Sequence, residues 1–125
     1  MKTLINLAGN IQNKKFMKKR AKEKIDHARL VEGATDVWRC GDSALALLTN
    51  KMSPRQRNLL IGLRLKSLSI MLDPGSYHKA LAIAEELSPF IETIKCVELT
   101  GSKDVADRRY DELLNLELST KPYRL

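Results

Sequence analysis

The chain has 125 residues, 43% of them apolar and 30% charged, with a formal net charge of +7. That length and balance suit one folded domain, expected over 1–125, rather than a disordered chain. Six Gly, four Pro and two Cys exclude collagen-like, mucin-like and disulfide-scaffold classes.

The charge is uneven. Residues 1–31 hold nine Lys/Arg against two acids, a net of +7, whereas 32–72 carry +3 and 73–125 carry −3. The densest run is Lys14, Lys15, Lys18, Lys19, Arg20, Lys22 and Lys24. A concentrated field of one sign attracts polyanions and steers association. No apolar run nears the roughly 18–20 residues of a membrane-spanning helix. Met1-Lys2 and the brief apolar patch from Leu4 to Ala8 do not read as a signal peptide. An intracellular home, cytoplasmic or nuclear, is expected.

In chain order the spacing predicts helices. Leu4, Leu7, Ala8 and Ile11 form a short stripe, and Met17, Ala21, Ile25 and Ala28 recur at steps of four and three between Lys14 and Val31. Glu32-Gly33 ends this basic arm. A helix over about Asp36 to Lys51, capped by Thr35 or Asp36, places Val37, Cys40, Ala44, Leu47 and Leu48 together. Gly41 within it either admits a close neighbour or breaks it, with Asp42 or Ser43 capping a shorter helix. Ser53-Pro54-Arg55-Gln56 is a capping box with proline at the first helical position. The helix it starts runs to about Leu72 and is apolar all round, the mark of a central element. Ser76 caps the next helix, with Ala80, Ile83, Ala84 and Leu87 inward. Pro89 breaks the stripe, which continues in phase through Ile91, Ile94 and Val97. Ser102 caps a last helix carrying Val105, Ala106, Leu113 and Leu116. The expected fold is therefore all-α: five to six helices around a central apolar helix. A basic arm (1–31) precedes a helical body (34–118) and a tail (119–125).

Chemistry-bearing patterns are scarce. Cys40 and Cys96, and His27 and His78, are too far apart in sequence for zinc-type pairs. Both cysteines fall near apolar faces and read as small core residues. No nucleophile elbow and no phosphate-cradling glycine loop occurs. Glu85 and Glu86 diverge on a helix. Asp104, Asp107 and Asp111 share one helix side with Arg108 and Arg109 interleaved, the pattern of a solvated ion-pair face. No catalytic residue, metal ligand, cofactor or small-molecule substrate is expected.

What remains is binding. The lysine-rich run, with Arg55 and Arg57 from the Ser53 helix, suits nucleic-acid phosphates or anionic lipid; the plain alternative is the soluble face of a packed helix. Trp38 and Tyr110 are the aromatic candidates for anchoring a protein interface. The sequence thus points to a non-catalytic accessory or regulatory protein, an adaptor or inhibitor of the kind phages and viruses use, with a protein as first-choice partner. Nucleic-acid binding through the basic arm is the alternative, and peripheral attachment to an anionic membrane surface the second.

Overall fold

A computed structural model describes residues 3–5, 11–13, 26–40, 44–48 and 51–124. It corrects the all-helical expectation. A short antiparallel hairpin of β1 (Thr3–Ile5) and β2 (Ile11–Asn13) precedes β3 (His27–Val31), α1 (Ala34–Cys40), β4 (Ala44–Ala46) and α2 (Pro54–Gly62). There follow β5 (Ser67–Met71), α3 (Tyr77–Leu87), β6 (Thr93–Cys96), a 3-10 turn at Val105–Asp107 and α4 (Tyr110–Ser119). Strands β3 to β6 form one parallel sheet in the order β4-β3-β5-β6. Helices run between consecutive strands because parallel neighbours cannot be joined by a hairpin. Among the described residues no helix is long and apolar enough to cross a membrane.

The strands fall where helices were expected because their apolar residues mimic helical spacing. Leu68, Met71 and Leu72 lie three and four apart, yet Ser67-Leu68-Ser69-Ile70 alternates and forms β5. The proposed helix from Ser53 to Leu72 stops at Gly62, with Leu63 as C-cap and Arg64 in the left-handed region at φ 54°. Its start is as the sequence indicates: Ser53 Oγ accepts from the Gln56 amide, and Gln56 Oε1 accepts from the Ser53 amide. Gln56 also donates to the Leu47 carbonyl, tying α2 to the strand before it. Residues Leu87, Ile91 and Ile94 keep helical phase across a helix end, a turn and a strand. Ser76 precedes α3 but its side chain makes no capping bond. At Ser102 no helix begins; Asp104 caps the 3-10 turn instead.

Alternation along each strand divides the side chains between two layers. Ala28, Leu30, Leu45, Leu68, Ile70, Ile94 and Cys96 pack under α2 and α3, against Leu60, Ile83, Ala84 and Leu87. Val31, Ala44, Ala46, Met71 and Val97 pack on the other face, against Cys40, Val105, Leu113 and Leu116 from α1, the 3-10 turn and α4. Burial pushes the Cys40 and Cys96 thiols up to about 11, so both behave as inert core residues.

At the start of the strands this second face turns polar. Register aligns His27, Ser67 and Thr93 in one row and Arg29, Ser69 and Lys95 in the next. Glu117 of α4 covers them. Arg29 donates to both Glu117 oxygens at 2.9 Å, the fork-to-fork geometry that holds a guanidinium best. His27 and Ser67 share a hydrogen bond of 2.6 Å, His27 Nε2 lies 3.5 Å from Glu117, and Lys95 donates to the Glu117 carbonyl. Burial would raise the Glu117 carboxyl, but hydrogen bonds from His27, Arg29 and Ser69 and the Arg29 charge hold it far below the usual carboxylate range.

Three outcomes follow. Replacing Glu117 by Leu takes from buried Arg29 its bidentate carboxylate, at a cost of about 3–5 kcal/mol in denaturant unfolding; adding Arg29→Met recovers part of it. Because the Glu117 pKa is depressed, its stabilisation is complete above the ordinary value of 4.5 and is lost as the pH falls below it. Arg64→Gly relieves the left-handed residue after α2 and raises stability by about 1 kcal/mol.

Candidate metal centre

The sheet order places β3 and β5 side by side at its centre, although the chain reaches β5 only after visiting β4 on the far side. This reversal leaves a crevice at the carboxyl ends of β3 and β5, where open parallel sheets hold their ligands. Acidic residues fill it. Glu32 follows the last residue of β3, Asp36 lies in the first turn of α1, Asp73 stands just beyond β5, and Asp104 comes from the connection after β6. Carboxylate oxygens of Asp36, Asp73 and Asp104 all lie within 4.8 Å of one another.

The members differ in what satisfies them. Asp36 is buried, and its two oxygens accept from the amides of Gly33 and Ala106, each at 3.0 Å. Burial raises its carboxyl despite those bonds, helped by the charges of Asp73 and Asp104. Asp36 therefore ties the turn after β3 to the 3-10 turn. Asp104 accepts from the Asp107 amide at 3.2 Å through one oxygen. Arg108, buried beside it, grips the loop that presents Asp104: it donates to the carbonyls of Thr100 and Lys103 and to Glu112.

Glu32 and Asp73 have no such help. Glu32 Oε1 and Asp73 Oδ1 are buried atoms without a hydrogen-bond partner. Two ionised carboxylates facing each other are acceptors only, and they can bond only by sharing a proton. Burial, that shared proton and the charges of Glu32 and Asp104 push the Asp73 carboxyl up to about 6. A divalent cation would relieve the same conflict. The donors are all oxygens, with no His or Cys in the cluster, which suits a hard ion such as Mg2+ or Mn2+ rather than zinc. Glu32, Asp73 and Asp104 fit such an ion; Asp36, with both oxygens engaged, fits a positioning role.

The site residues expected from sequence lie elsewhere. Lys14, Lys15, Lys18, Lys19, Arg20, Lys22 and Lys24 fall outside the described residues. Arg55 is exposed in the first turn of α2, and Arg57, two residues further, is half-buried and donates to the Asn58 side chain. Trp38 lies on α1. Tyr110 opens α4, 45% exposed, with the Arg29 guanidinium 5.8 Å from its ring centre. The acidic cluster was missed because its members come from separate connections. Asp104, Asp107 and Asp111, read as one helix face, belong to a cap, a 3-10 turn and α4. The legible signal was an acid directly after an apolar run, at Leu30-Val31-Glu32 and Met71-Leu72-Asp73.

No protein-family model and no curated protein matches the chain. Solved structures do. The Aquifex aeolicus primase, in a structure of its zinc-binding and RNA polymerase domains, superposes with a TM-score of 0.73 at 20% identity, over 95% of this chain and 32% of that one. The DnaG catalytic core superposes with a TM-score of 0.71 at 12% identity, over 98% of this chain and 43% of that one. The chain thus spans less than half the length of these structures, and its α/β fold resembles part of theirs. This likeness overturns the helical-bundle expectation. It also overturns the non-catalytic, adaptor-type reading, since the shared fold is found in chains described as a catalytic core and as RNA polymerase domains.

The raised Asp73 pKa has a stability consequence. Protonation favours the folded metal-free chain, so its contribution is full below the unfolded value near 3.8 and is lost as the pH rises through about 6. Asp73→Asn should remove this pH dependence and stabilise the metal-free protein at neutral pH by about 1 kcal/mol, after allowance for solvent screening of a half-exposed group. Thermal unfolding in EDTA across that pH range measures it; a lower midpoint at neutral pH would show that the Asp73 charge is not in conflict with its surroundings.

Proposed function

We propose that the chain is a divalent-cation-dependent phosphoryl-transfer domain acting on nucleic acid. The observation that carries this reading is the pair of buried, donor-less oxygens on Glu32 and Asp73, set at the switch point of a parallel sheet. Glu32, Asp73 and Asp104 would hold the cation. When bound, Mg2+ neutralises charge developing on phosphoryl oxygens and lowers the pKa of an attacking hydroxyl or water.

The chain's own residues supply the rest. Asp36 fixes the two turns that carry its neighbours, and Arg108 keeps the loop bearing Asp104 closed. Positive charge for the substrate's phosphates comes from Arg55 at the start of α2 and from the run Lys14 to Lys24. The likeness of the fold to a primase with RNA polymerase domains supports nucleic acid as substrate class.

Two measurements test this. Mg2+ or Mn2+ should raise the thermal midpoint, with an increment that shrinks as the pH falls below about 6, where the proton competes for Asp73. Cation-dependent cleavage or extension of a DNA or RNA strand should fall by about two orders of magnitude in Asp73→Asn, while that variant remains folded in EDTA. A chain that neither responds to these cations nor turns over a strand in their presence contradicts the proposal.

A further inference from the structure

A cavity of about 420 Å³ opens between α3 and the segment leading into α2. That volume lies within the roughly 300–1,000 Å³ of ordinary small-molecule sites. Met52, Ala82 and Ile83 give it an aliphatic floor, and Lys51, His78 and Lys79 give it a basic rim. Its position follows from topology. Both helices start at the carboxyl edge of the sheet, α2 after β4 and α3 after β5, so the first-turn residues His78 and Lys79 share that edge with Asp73. Glu86 lies two turns further along α3, on the side of the cavity away from the edge.

The chemistry is that of a nucleoside phosphate turned towards the carboxylates. An apolar floor takes the face of a base, and an exposed imidazole offers a ring for stacking. Two ammonium groups at the rim suit a phosphate. Glu86, an acceptor, suits the amino group on a base edge. We propose that this cavity is a nucleotide subsite adjoining the carboxylate cluster. In it the base rests on Met52, Ala82 and Ile83 beside His78, the phosphate meets Lys51 and Lys79, and amino-bearing bases are preferred over thymine or uracil through Glu86. The proposal rests on the preceding one for its substrate class, but not for its cation.

Binding of labelled oligo-dC and oligo-dT to the full chain in EDTA separates the two. Ala82→Trp fills the cavity from an exposed helix position without altering charge, and should weaken oligo-dC binding by about tenfold or more. Lys79→Gln should weaken it less and reduce the salt slope by about 1. Glu86→Gln should narrow the gap between oligo-dC and oligo-dT. Competition by cytidine monophosphate identifies a free nucleotide as the occupant; binding of the strand alone identifies a unit within a polymer. Parent-like affinity in both Ala82→Trp and Lys79→Gln overturns the subsite, including where the strand is held through the Lys14 to Lys24 run. Should Ala82→Trp disturb folding, Lys79→Gln and Lys51→Gln read the same contacts. Absence of any cation response, with these variants still impaired, would remove the metal centre and leave the subsite standing.

Discussion

Strands that all run one way cannot be closed by tight turns, so every connection must travel back over a face of the sheet. The structure depends on that constraint. It brings the carboxyl ends of β3, β5 and β6 to one edge, and the reversal of strand order at β3 and β5 opens a crevice between their exits. Asp73 faces Glu32 and lies close to Asp104, and the three come from different connections that meet only because they leave the same edge. The polar rows at the opposite end of the second face follow from the same register. There Arg29, Ser69 and Lys95 align under Glu117.

The two ends treat charge in opposite ways. At the Arg29–Glu117 end every charge has a partner, and the bidentate pair docks α4 against the sheet. At the other end acids are held against acids. Such crowding is unfavourable in the metal-free chain, and it persists because the backbone is held from outside the crevice. Asp36 binds the amides of Gly33 and Ala106, and Arg108 binds the carbonyls of Thr100 and Lys103. A satisfied pair that fixes a helix and an unsatisfied cluster fixed by its surroundings are what separates a structural ion pair from a binding site.

Much of this was only partly legible in the sequence. The start of α2 was, because a capping box is a local device and Ser53 and Gln56 need nothing distant to form it. The inward face of α3 was also, through Ala80, Ile83, Ala84 and Leu87. Strands of three to five residues were not, since their apolar residues are buried on both faces and present runs rather than clean alternation. Leu30-Val31 and Ile70-Met71-Leu72 read equally well as helix. The alternations Ser67-Leu68-Ser69-Ile70 and Thr93-Ile94-Lys95-Cys96 carried the correct period, and each was masked by leucines and isoleucines continuing a helical phase from outside the strand. The carboxylate cluster was invisible for a different reason. Asp36 resembles a helix cap and Asp104 a member of an ion-pair face, and only the sheet order makes them neighbours.

The central claim is that the crevice at the ends of β3 and β5 is built for a divalent cation. A crystal of the full chain grown with Mn2+ and measured at the manganese absorption edge tests it most directly. One anomalous peak or two are expected at oxygen-ligand distances, about 2.0–2.3 Å, from the carboxylates of Glu32, Asp73 and Asp104, with Asp36 still bonded to the amides of Gly33 and Ala106. An anomalous map empty in that crevice at saturating Mn2+, with Glu32 and Asp73 still facing each other, would contradict it.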